Sequence, residues 1–61
     1  MKIAFMSRVA ALCKQYGFTR KVAVLITRIE RGIDTLEYLA NQGIVGISDF
    51  YNISQYFSNK G

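Results

Sequence analysis

The chain has no histidine, one cysteine and only four carboxylates in 61 residues. Each shortage removes a class of chemistry. Without histidine there is no side chain whose ordinary pKa suits proton transfer near neutrality. Cys13 alone cannot close an intrachain disulfide, and without imidazole or a second thiol a zinc or haem site built by this chain alone is excluded. No glycine-rich phosphate loop is present. Glu30, Asp34 and Glu37 fall on one flank of a predicted helix, where charges ordinarily face solvent. These shortages argue against an enzyme, and no cofactor is expected.

Long apolar runs are missing as well. None is longer than the five residues of Val22 to Ile26, far short of a membrane span. Ile3 to Met6 is apolar, but Ser7 and Arg8 interrupt it and no small-residue cleavage site follows, so no signal peptide is expected. Ala10-Ala11-Leu12 ahead of Cys13 has some likeness to a lipoprotein cleavage box, against which the bulky Leu12 speaks. The expectation is a reduced, cytoplasmic protein. Cys13, among Val9, Leu12 and Tyr16, is then a small buried hydrophobe rather than a thiol activated by Lys14.

Hydrophobic residues, by contrast, make up 51% of the chain, and the mean hydropathy is +0.15. A domain of this size buries only about 60% of its unfolded surface. The apolar surplus predicts a homodimer or a partner surface. Charge is uneven. Lys2, Arg8, Lys14, Arg20, Lys21, Arg28 and Arg31 against Glu30 leave residues 1–31 at +6. Lys60 against Asp34, Glu37 and Asp49 leaves residues 32–61 at −2. A basic half points to anions: nucleic acid, an acidic protein surface or anionic lipid.

The periodicity predicts a single all-α domain over residues 1–61 with three helices. The first runs from Lys2 to Tyr16, with Phe5, Val9, Leu12 and Tyr16 on one face and Gly17 as a left-handed C-cap. Thr19 then caps a long central helix, with Phe18 placed as a hydrophobic staple. Val22, Ile26, Ile29, Ile33, Leu36 and Ala40 recur at steps of 4, 3, 4, 3, 4, one stripe of a helix reaching Ala40. Leu25, Gly32 and Leu39 widen it. Val22, Leu25, Ile26, Ile29, Ile33 and Leu36 form the expected core and dimer stripe, with Gly32 as a close-approach point for another backbone. Arg20 and Lys21 at its start and Asp34 and Glu37 in its second half oppose the helix dipole. A last helix, capped by Ser48 or Asp49 and running to about Ser58, carries Phe50, Ile53 and Phe57 on one face as a lid.

Two patterns bear on function. Around Gly17, the residues Leu12, Tyr16, Phe18, Ala23 and Ile26 occupy the five apolar positions of a helix-turn-helix, and Cys13 the small one. Over Val9 to Arg28 the chain resembles the bacterial helix-turn-helix regulators. That resemblance implies DNA contacts from Thr19, Arg20, Lys21 and Arg28. An αα-hairpin with a glycine turn fits the same residues. Ile33-Asp34-Thr35-Leu36-Glu37, Ile47-Ser48-Asp49 and Tyr56 are similar in spacing to the middle of the haemolysin-expression-modulating family, which acts on DNA through a nucleoid-protein partner. No residue role is carried over from it.

The second pattern is a basic face opposite the stripe. Arg20, Val24, Arg28, Arg31 and Tyr38 project together there, and Arg and Tyr are types favoured at interface hot spots. The reading is a small regulatory binding protein, docking on an acidic protein surface through this face. A helix-turn-helix DNA binder is the alternative. A membrane-surface role is disfavoured because the basic face and the apolar stripe lie on opposite sides.

Overall fold

A computed structural model describes residues 2–60, and the described chain is all-helical: α1 Lys2–Tyr16, α2 Arg20–Glu30, α3 Leu36–Asn41 and α4 Ile47–Lys60. Four helices stand where three are expected, because the central stretch is two helices joined at a turn.

Each of the first three helices ends on a glycine with positive φ. The Gly17 N–H donates to the Cys13 carbonyl at 2.9 Å, the single bond of an αL cap. At the end of α2, Gly32 (φ 75°) donates to the Ile29 carbonyl and Ile33 to the Arg28 carbonyl, the paired bonds of a Schellman motif. Gly43 and Ile44 repeat that pair on Ala40 and Leu39 at the end of α3. N-caps complete the punctuation. Thr19 Oγ1 accepts from the Val22 N–H at 3.3 Å, and Thr35 Oγ1 accepts from the Tyr38 N–H at 3.1 Å. The Gly46 carbonyl accepts the first bond of α4 from Phe50, so that helix starts ahead of Ser48.

The central-helix expectation is therefore corrected. Apolar spacing stays in phase from Val22 to Ala40, but Gly32 leaves the right-handed region and Thr35 caps a new helix. Gly32 is no close-approach point either, since a Cβ built there meets nothing within 4 Å. The break also removes the dipole conflict. Glu37 lies in the first turn of α3, where a carboxylate is favourable, and Asp34 lies in the turn. Lys21, unfavourably placed at the start of α2, has Asp49 of α4 at 3.9 Å.

α1 packs on α2, and α4 packs on both α2 and α3. Val9 and Leu12 from α1, Val22, Ala23, Leu25 and Ile26 from α2, Leu39, Val45, Ile53 and Tyr56 form the buried core. Phe5, Cys13, Phe18, Val24, Ile29, Leu36 and Phe57 pack half-buried against it. Thr27 is the one fully buried polar residue of α2, and its hydroxyl donates back to the Ala23 carbonyl at 2.8 Å. Most of the expected dimer stripe is thus spent inside the chain: Val22, Leu25 and Ile26 are buried and Ile29 and Leu36 are half-buried. Ile33, carried past the Schellman turn, is 52% exposed.

Candidate functional site

The outer side of α2 carries Arg20, Val24, Arg28 and Arg31 at helical spacing, with Arg31 as the C-cap. Their surroundings differ. Arg20 is exposed at the helix start and makes no ion pair among the described residues. Val24 is half-buried against the core. The Arg28 Nε donates to Asp34 Oδ2 at 2.6 Å, which ties the helix end to the turn beyond it. The Arg31 guanidinium lies 5.5 Å from the centre of the Phe5 ring, a cation–π contact with α1. Tyr38 sits on α3, beside the Gly32–Thr35 turn, and is half-exposed. The five residues expected on one helix face are therefore divided between two helices, with two of the three arginines held by neighbours.

The four residues implied by the helix-turn-helix resemblance stay together at α2. Thr19 is its N-cap, Arg20 and Lys21 are exposed in its first turn, and Arg28 is near its end. Of the five apolar positions, Leu12, Ala23 and Ile26 are buried and Phe18 is half-buried. Tyr16 is half-exposed. Its ring stacks on Phe18 at 5.3 Å and meets Tyr56 edge-on at 5.2 Å, so α1, the turn and α4 share one aromatic cluster.

Beside that cluster lies a polar network that sequence reasoning missed. The Arg8 Nε and Nη2 donate to the two Glu30 carboxylate oxygens at 3.1 and 3.0 Å, a bidentate pair between α1 and α2. The Tyr56 hydroxyl, reaching in from α4, donates to Glu30 Oε2 at 2.8 Å and accepts from Arg8 Nη2 at 2.6 Å. The hydrogen bond to Glu30 holds the Arg8 pKa above its ordinary value. The network spans 48 residues of sequence, and no local pattern announces it. It is a structural tie, since every group in it is engaged with another.

Two features remain open to a partner. One is a run of large apolar side chains over the α3–α4 connection and the start of α4. Ile47 is 91% exposed, Tyr51 62%, Ile44 43% and Phe50 40%. Ile47, Phe50 and Tyr51 share one face of α4 at i, i+3 and i+4. The other is an open cleft of about 520 Å³ between the end of α1, the α1–α2 turn and α4. Among the described residues no group of three His, Cys, Asp or Glu could hold a metal ion, and no helix is long and apolar enough to cross a membrane. Comparisons with models of protein families, with curated proteins and with solved structures give no match.

Proposed function

We propose that this chain is a small, non-enzymatic, regulatory binding protein of the cytoplasm that self-associates and docks on another protein. The observation that carries the reading is the exposed Ile44, Ile47, Phe50 and Tyr51, four large apolar side chains within eight residues. Scattered apolar residues are normal on a surface, whereas a contiguous group at one helix face favours an interface. The first half of α4 carries a single charge, Asp49, which Lys21 of the same chain faces at 3.9 Å, so two copies can meet there with little uncompensated charge opposed. The dimer contact moves with this observation from the α2 stripe, which the core uses, to the α4 face.

Arg20, Val24, Arg28, Arg31 and Tyr38 remain the proposed docking residues for an acidic partner. Arg20 supplies charge that no carboxylate among the described residues pairs, while Tyr38, half-exposed beside the turn, supplies an aromatic anchor. Arg28 and Arg31 supply less, because Asp34 and Phe5 already hold them.

The helix-turn-helix alternative also has an observation in its favour. α2 is 11 residues long after a three-residue turn, the proportions of a recognition helix, whereas a helix continuing to Ala40 would be too long. Duplex binding followed by fluorescence anisotropy over a salt series separates the two readings. A protein-docking face predicts weak, sequence-independent binding at physiological salt. Tight binding there, with a log–log salt slope near −0.9 per phosphate contact and loss on Arg20→Ala with Lys21→Ala, establishes the DNA reading instead.

A further inference from the structure

The cleft at the α1–α4 end shares Tyr51 with the apolar patch and no residue with the α2 docking face, and the rest of its lining has a chemistry of its own. Asn52, Gln55 and Asn59 follow one another at i, i+3 and i+7 on α4, so three carboxamides form one stripe along the cleft wall. A fourth carboxamide, Gln15, comes from the last turn of α1. All four residues are exposed, and no protein hydrogen bond engages their side chains among the described residues. Aromatic rings supply much of the remaining surface: Tyr16 and Phe18 from one side of the fold, Tyr51 and Tyr56 from α4. Tyr16 and Tyr51, on different helices, each leave more than half their area open.

The electrostatics are neutral. Among the described residues Arg8 is the only charged one on the lining, and Glu30 compensates it at 3.0 Å. No carboxylate of a described residue lines the cleft. Anionic ligands therefore find no free cation among the described lining residues. Carboxamides carry a donor and an acceptor side by side, which matches the adjacent donor and acceptor groups on a nucleobase edge. Exposed tyrosine rings offer the flat apolar surface on which such a base stacks. The volume falls within the usual range of small-molecule sites.

We propose that this cleft binds an uncharged heteroaromatic base or its nucleoside, with tyrosine rings against the ring face and the Asn52–Gln55–Asn59 stripe reading its edge. The test is a ¹H–¹⁵N NMR titration of the full chain with adenosine, guanosine, cytidine and uridine. Adenosine monophosphate and methyl glucoside serve as comparison probes. The expected result is saturable shifts confined to the cleft, with half-saturation below about 1 mM for at least one nucleoside. Asn52→Ala and Gln55→Ala, both at exposed positions, should each weaken that nucleoside about two- to tenfold while leaving the spectrum of the free protein folded. Three outcomes overturn the proposal. They are the absence of saturable shifts with every nucleoside, shifts indifferent to both substitutions, and tighter binding of the glucoside or of the monophosphate by tenfold or more.

Discussion

Leu12 and Ile26, facing each other's helices in the N-terminal pair, are wholly buried, whereas Ile47 at the start of α4 is 91% exposed. The two regions use the same kind of residue for different ends. α1 and α2 carry most of the core and six of the described cations, and most of their large apolar side chains point inward, Met6 and Tyr16 on α1 being exposed. α3 is a single six-residue helix; the connection after it buries Val45 and leaves Ile44 outside, and α4 then starts on the exposed Ile47. In so short a chain, one core has room for one set of large side chains. Under the proposed function, the first region serves folding and the second serves association.

The largest effect that can break this contrast is expected in the first region. Leu12→Ala or Ile26→Ala should cost about 2–5 kcal/mol, enough to unfold most of a domain with marginal stability. Ile47→Ala, measured at a concentration where the chain is monomeric, should change stability by less than about 0.5 kcal/mol. Urea titrations followed by circular dichroism measure both. Equal losses would erase the distinction between the two regions.

Gly32 comes next, at their border. Gly32→Ala and Gly32→Leu should both lose about 1–2 kcal/mol, because φ is 75° and L-residues resist that conformation. The two losses should be similar, since no neighbour lies within 4 Å of the Cβ position. A much larger loss for Leu than for Ala would restore the close-approach reading.

Smaller effects are expected from the ties that hold α4 to the first two helices. Tyr56→Phe deletes the hydroxyl shared by Arg8 and Glu30 and should cost about 0.5–1.5 kcal/mol. Lys21→Ala removes a pair at 3.9 Å between two solvent-facing side chains and should cost no more than about 0.5 kcal/mol. A larger cost for Lys21 than for Tyr56 would mean that α4 is anchored at its start rather than at its middle.

Much of the first region was legible in the sequence. The span of α1, its glycine cap, the Thr19 N-cap and the inward placement of Leu12, Ala23 and Ile26 all follow from local rules that the structure obeys. The break after α2 was legible too, but in a weaker signal. Arg31-Gly32-Ile33 followed by Thr35 and Glu37 is a stop and a new start, and the dipole conflict pointed the same way. Apolar spacing in phase across the turn masked both. On α4, Ile53 and Phe57 pack toward the core as the lid reading requires, while Phe50 is 40% exposed because only the helix's middle lies over the core. The Arg8–Glu30–Tyr56 network and the cleft depend on three separate segments meeting, which no spacing rule encodes.

Sedimentation velocity over a concentration series, on the unsubstituted chain and on Ile47→Asp, tests the assignment of the second region most directly. The account predicts a concentration-dependent dimer for the former. It predicts a monomer for Ile47→Asp, with an unchanged circular dichroism spectrum because the substituted side chain is exposed. A chain that stays monomeric into the millimolar range, or a dimer indifferent to a charge at position 47, would contradict it.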